Sequence, residues 1–210
     1  LIGISPPAHD AIPADDWTFS YDPFGNQFKT VHNGESTTNV IDPASAIGNP
    51  MVGLTNVVAS YDGDGNLMSR YIYGTQLIAM ASAAGINSYY NFDGTGSTIG
   101  ITGPDGSVSA AYSYLPYGSL VASSGSIENP YGFDGALGVS TLTDNLISMR
   151  QRFYSTDLGR FLSRDPAGVN AGLNPYSFGN NNPVSNVDPW GLWFIDIGVS
   201  GGAGFGGTFG

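Results

Sequence analysis

Tyr21-Asp22-Pro23-Phe24-Gly25-Asn26 returns 40 residues later as Tyr61-Asp62-Gly63-Asp64-Gly65-Asn66. A looser copy is Phe92-Asp93-Gly94-Thr95-Gly96-Ser97. Two others have decayed further, Tyr114-Leu115-Pro116-Tyr117-Gly118 and Tyr154-Ser155-Thr156-Asp157-Leu158-Gly159. The unit is an aromatic, Asp, two residues, Gly and a polar residue. An Asp carboxylate accepts backbone N–H groups two residues on, and Gly takes the positive-φ position that closes a turn. The aromatic ends the incoming strand and packs on the sheet. Copies spaced by 40, 31, 22 and 40 residues leave room for one hairpin or two between them. The intervening Ser69-Arg70-Tyr71-Ile72-Tyr73 and the stretch from Ser107 to Tyr114 have strand composition with partial alternation. The pattern predicts an all-β chain, an antiparallel array of hairpin after hairpin. The exception is the small-residue run Ala79 to Ala84, which is short, helix-compatible and stopped by Gly85.

Composition agrees. Gly and Pro supply 44 of 210 residues, against about 12% in an average protein. Glu appears twice, which disfavours a helical bundle. Apolar residues at 41%, with 12% aromatics, argue against disorder. The net charge is −11 with one lysine, Lys29, and five arginines, so phosphate-directed nucleic-acid binding is excluded. The absence of cysteine excludes disulfides, thiolate metal sites and a thiol nucleophile. No apolar run reaches the length of a transmembrane helix, and no signal peptide is visible. Leu1 in the place of Met is expected of a fragment or processed product. Pro6, Pro7, Pro13 and the Ala-Asp-Asp run mark residues 1–16 as an irregular lead-in.

Asp-Pro-x-Gly occurs at 22–25, 165–168 and 188–191. In each, Pro fixes φ and Gly closes a tight turn. Four of the six cations, Arg150, Arg152, Arg160 and Arg164, fall within 15 residues. Alternating strand positions paired with turn aspartates account for them better than a nucleic-acid patch. Asp62-Gly63-Asp64-Gly65-Asn66 opens like a calcium loop, but Tyr73 stands where a bidentate Glu is required. His9 and His32 have no partner at ligand spacing. No metal or cofactor is expected.

The repeated Tyr-Asp-x-x-Gly unit resembles that of Rhs/YD-repeat proteins, which include bacterial polymorphic toxins and Tc toxin C subunits. A more specific resemblance, to the Rhs repeat-associated core domain, runs through Asn129-Pro130-Tyr131-Gly132-Phe133, Arg150-Gln151-Arg152-Phe153-Tyr154 and Leu158-Gly159-Arg160-Phe161-Leu162-Ser163-Arg164-Asp165-Pro166. It continues through Asn174-Pro175-Tyr176 and Gly179-Asn180-Asn181-Asn182-Pro183 to Asp188-Pro189-Trp190-Gly191-Leu192. This divides the chain into the lead-in 1–16, YD-type hairpins over 17–128, a core domain over 129–192, and the start of a variable C-terminal region at 193–210.

The resemblance implies an all-β part of a larger Rhs shell, closed by a C-terminal core plug. Partners would be the preceding YD repeats, an effector domain of the same chain enclosed by the shell, and a secretion or delivery apparatus. The location would be bacterial secretion or the cell surface. In this family two such motifs, each counted with the residue after its Gly and separated by 18 residues, mark an intramolecular aspartic protease; here the motifs are 165–169 and 188–192, and residues 170–187 are the spacer. Asp165 and Asp188 would be the catalytic pair, with Pro166, Gly168, Pro189 and Gly191 shaping their turns and the cut falling between Leu192 and Trp193. Two close carboxylates share a proton, so one serves as base and the other as acid. Arg164, beside Asp165, would hold one carboxylate ionised or oriented, or else form an ordinary surface ion pair. Val169 replaces the family's frequent Leu in the first motif. The rival expectation is a non-enzymatic YD-repeat scaffold of a cell surface or filament.

Overall fold

The computed structural model describes residues 2–4, 16–43, 54–166, 168 and 173–197. They fall into two compact units, one of residues 1–75 with 79–87, the other of 76–78 with 88–210.

In the first unit, β1 (Ile2–Ile4), β2 (Trp17–Tyr21), β3 (Gln27–His32), β4 (Glu35–Asp42), β5 (Asn56–Tyr61) and β6 (Leu67–Tyr73) pair in chain order, each antiparallel to the next. Ile2–Ile4 corrects the expectation of an irregular start, because its backbone pairs with Trp17–Phe19; residues 5–15 lie outside the described part. In the second unit, β8 (Asn87–Phe92), β9 (Thr98–Thr102), β10 (Val108–Tyr114) and β11 (Leu120–Gly125) continue the same pattern. Between them in sequence comes β7 (Leu77–Ser82), where the run Ala79 to Ala84 allowed a helix. Leu77, Ala79 and Met80 are buried while Ile78 is exposed, so the small residues serve a packed strand face and the run ends in a turn.

The turns explain why the motif works. Gly25 N–H donates to the Asp22 carbonyl at 3.0 Å, and Asp22 N–H to the Asn26 carbonyl at 2.9 Å. The Asp22 carboxylate accepts Phe24 N–H, Asn26 N–H and the Asn26 side-chain amide, each at 2.9 Å. Asn26's side chain is the main cause holding Asp22 below the usual carboxylate pKa. The fourth residue needs positive φ, which only Gly adopts cheaply: Gly25, Gly65 and Gly96 stand at 85°, 82° and 92°. Each turn adds a one-residue bulge, seen as register shifts at Tyr21, Tyr61 and Phe92. The expected turns at Asp22–Gly25, Asp62–Gly65 and Asp93–Gly96 are therefore all present. Three further copies share the backbone bonds, at 82–86, 103–107 and 115–119. At 82–86 the Ser82 hydroxyl replaces the carboxylate and accepts Ile86 N–H. His32 stacks on Trp17, with ring centroids 3.8 Å apart.

Beyond β11 the second unit changes character. A 3-10 turn at Gly135–Leu137 precedes a four-stranded antiparallel sheet of β12 (Ser140–Thr143), β13 (Leu146–Met149), β14 (Arg152–Ser155) and β15 (Arg160–Phe161). A two-stranded ladder follows, β16 (Asn186–Val187) with β17 (Ile195–Asp196). Phe133, Ile147, Met149, Tyr154, Phe161 and Phe178 form one buried cluster. Tyr154 stands at its centre, 4.7 Å from Phe178 and 5.6 Å from Phe161 between ring centroids, and its hydroxyl donates to the Tyr117 carbonyl at 2.9 Å. Tyr154→Ala is expected to cost about 3–5 kcal/mol by opening a cavity there. A fall in the urea midpoint followed by circular dichroism would measure it; a change below about 1 kcal/mol would mean the cluster does not support the unit.

Candidate active site

Asp165 and Asp188 lie 23 positions apart in the chain, yet both side chains are buried and both meet Arg152. Arg152 opens β14, and β14 pairs with β15, so the residues after Phe161 run alongside it. Leu162 N–H donates to the Phe153 carbonyl at 2.9 Å and carries that pairing one step further. Three residues on, Asp165 N–H donates to the Pro175 carbonyl at 2.9 Å, and the same carbonyl accepts Arg152 Nη1 at 3.1 Å. One acceptor thus fixes both the first acid and the cation.

The second acid enters from β16. Gly191 N–H closes the turn on the Asp188 carbonyl at 3.2 Å, as Gly168 N–H does on Asp165 at 3.0 Å. Gly168 and Gly191 have φ of 65° and 66°. A Cβ on Gly191 would come within 2.7 Å of the Met149 carbonyl, so glycine alone allows this close approach. Both motifs are turns, as their composition requires, and they differ from 22–25 in burying the carboxylate.

Arg152 Nη2 lies 2.8 Å from Asp165 Oδ2 and 3.4 Å from Asp188 Oδ2. Arg152 Nε donates to the Gly191 carbonyl, and the guanidinium carbon sits 3.6 Å from the Phe161 ring centroid. Such a fork is well suited to two acceptors at once. Asp188 Oδ1 accepts Leu192 N–H at 3.0 Å and Trp193 N–H at 3.3 Å. Burial pushes the Asp188 pKa up to about 6, against the pull of Arg152 and of the N–H groups of Leu192, Trp193 and Gly191. Burial also lowers the Arg152 pKa, opposed by both carboxylates. Trp190 and Trp193 stack across the intervening turn, with centroids 4.3 Å apart.

The sequence points to Arg164 as the cation of the pair, by adjacency. The structure corrects this: Arg164 is exposed while Asp165 beside it is buried, so the two side chains leave the backbone on different sides. Arg152 takes the place, and its pairing with two turn aspartates is the arrangement the arginine cluster implied. Asp134 carried no sequence signal. It is fully buried at φ 53°, with both carboxyl oxygens lacking a hydrogen-bond partner. Burial, then the charges of Asp93 and Asp188, drive its pKa well upward.

The fold and this site define a class. The teneurin YD-shell family profile matches residues 19–184. The tRNA(Glu)-specific nuclease WapA of Bacillus subtilis subsp. natto is 31% identical over 186 residues, covering 85% of this chain and 8% of that protein. Double-stranded DNA deaminase toxin A of Burkholderia cenocepacia is 56% identical over 41 residues, 20% of this chain and 3% of that protein. The crystal structure of TcdB2-TccC3 superposes with a TM-score of 0.64 at 18% identity, over 88% of this chain and 10% of that one. The Photorhabdus luminescens Tc holotoxin pore gives 0.58 at 17% identity, over 94% and 10%. The chain belongs to the YD-shell family and is a shell-forming segment of the Rhs/YD-repeat type. It spans a tenth or less of the length of these relatives and structures.

Proposed function

We propose that this chain closes a hollow YD-repeat shell around an effector carried by the same polypeptide, and that it cuts its own backbone between Leu192 and Trp193. The observation that carries the reading is the seating of that peptide bond: the Trp193 amide nitrogen lies 3.3 Å from Asp188 Oδ1, and Asp188 shares Arg152 with Asp165. A buried acid pair has a desolvation cost that a mere scaffold has no need to bear.

The chemistry balances without a cofactor. A water adds to the Leu192 carbonyl carbon and gives its proton to the Asp165 carboxylate. Asp188, the acid whose proton is held up to about pH 6, protonates the Trp193 nitrogen as the C–N bond breaks. The products are a carboxyl group at Leu192 and an amine at Trp193, and the pair ends with one proton, as it began. Because the bond is already seated, the reaction is a single turnover in cis and gains the proximity that a separate protease obtains by binding. The relatives named as a tRNA nuclease and a DNA deaminase toxin support an enzymatic toxin as the cargo. A bacterial secreted or surface location accords with that role.

The test uses the full-length polypeptide. Intact mass and N-terminal sequencing should show one break, a fragment beginning Trp193-Phe194-Ile195, and a cleaved fraction unchanged by protein concentration. An uncut chain, or a break elsewhere, would refute the reading.

A further inference from the structure

The chain segment entering the proposed cut is gripped one carbonyl at a time. Arg150 Nη1 donates to the Pro189 carbonyl at 2.6 Å, Gln151 N–H donates to the Trp190 carbonyl at 3.1 Å, and Arg152 Nε donates to the Gly191 carbonyl. Three consecutive residues of one segment thus meet three consecutive carbonyls of another. The next two amides, Leu192 N–H and Trp193 N–H, are taken by Asp188.

Arg150 differs from the other two rungs. Its backbone stands at φ 53°, a region unfavourable to a long side chain. Its second nitrogen, Nη2, donates to the Leu137 carbonyl at 2.9 Å. The planar fork therefore ties the Asp188–Gly191 turn to the 3-10 turn at Gly135–Leu137. Persistence of an unfavourable backbone conformation requires that its surroundings hold it in place. A lysine, with a single point charge, replaces only part of such a bridge.

We propose that residues 150–152 are a substrate-holding clamp for the 189–191 backbone, with Arg150 as the positioning residue that sets the register of the Leu192–Trp193 bond against the acid pair. This rests on the self-cleavage reading. Arg152 both grips Gly191 and pairs with the acids, whereas Arg150 grips Pro189 and ties it to Leu137. Displacement of a reacting group by about 1 Å costs on the order of 100-fold in rate.

The test follows the appearance of the Trp193 terminus in freshly synthesised full-length protein. The wild type is compared with Arg150→Ala, Arg150→Lys and Asp188→Asn, over pH 4 to 8. Arg150→Ala should lower the rate about 100-fold at every pH, without moving the apparent pKa of the profile, and Arg150→Lys should fall between it and wild type. Stability is compared in uncut chains that carry Asp188→Asn, with and without Arg150→Lys. If Arg150→Ala does not fold, the lysine variant decides: slower cleavage at unchanged melting temperature supports the clamp. Wild-type cleavage rates in every folded Arg150 variant, with Asp188→Asn uncut, overturn the clamp and leave the acid pair standing. Cleavage persisting in Asp188→Asn overturns the acid-pair reading and the clamp with it.

Discussion

Full-length protein carrying Asp165→Asn or Asp188→Asn is expected to remain in one piece. The proposed reaction needs one group to take a proton from water and another to give one to the Trp193 nitrogen, and an amide does neither. Loss of one proton-transfer group costs about 100- to 10,000-fold in rate. Asparagine nearly preserves size and accepts the same N–H groups, so the Asp188 turn, with its bonds from Leu192 and Trp193, survives the change. Asp22→Asn is the matched control. It alters the same atom in the same Asp-Pro-x-Gly context, but the Asp22 carboxylate only accepts hydrogen bonds within its own turn and is not buried, so cleavage is expected to proceed. Gel mobility and intact mass read all three variants together. A cut chain in both Asp165→Asn and Asp188→Asn would remove the acid pair from the mechanism.

Removal of the shared cation is expected to act on the fold as strongly as the aspartates act on cleavage. Arg152→Met keeps much of the apolar stem but removes the cation shared by two buried carboxylates. Breaking a buried pair in this way typically costs about 3–5 kcal/mol, and the loss of contact with the Phe161 ring adds to it. The pH dependence has a definite sign. Asp188 has a folded pKa of about 6 against an ordinary 3.8, so between those values the folded state holds a proton that the unfolded state has released. Its contribution is fully present below about pH 4 and is lost as pH rises through 6, a fall of about 3 kcal/mol. Asp22, with its lowered pKa, acts in the opposite direction. Comparison with Asp188→Asn isolates the Asp188 part. In Arg152→Met the attraction that restrains the Asp188 pKa is gone, so the fall should extend above pH 6. Denaturation midpoints from pH 4 to 8 measure this; a pH-independent difference between wild type and Asp188→Asn would show that Asp188 does not titrate in that range.

The hairpin array was legible because its determinants are local. Asp22, Asp62 and Asp93 bind backbone within four residues of themselves, and Gly25, Gly65 and Gly96 supply an angle that belongs to one residue. The copies at 82–86 and 103–107 escaped because the backbone bonds and glycine remained while the leading aspartate did not. The run Ala79 to Ala84 read as helix-compatible because small residues state no preference, and strand packing decided.

The site divides along the same line. The two acids and the bond beside them are what the resemblance to the Rhs core domain implies, carried over onto the Asp-Pro-x-Gly motifs at 165–168 and 188–191. The cation is not: Arg164 is adjacent to Asp165 in sequence but exposed, whereas Arg152, 13 positions before it, reaches both acids through the pairing of β14 with β15. The same holds for Asp134, whose raised pKa depends on what surrounds it once the unit has closed. By itself the sequence determined the turns and the strand-rich architecture, since each depends on residues within a few positions of one another, whereas the aspartate pair, 23 positions apart, came with the family resemblance. Only the tertiary structure decided which arginine meets both acids, which donors hold the carbonyls of residues 189–191, and which carboxyl has its pKa raised, because burial and charge proximity are properties of packed neighbours.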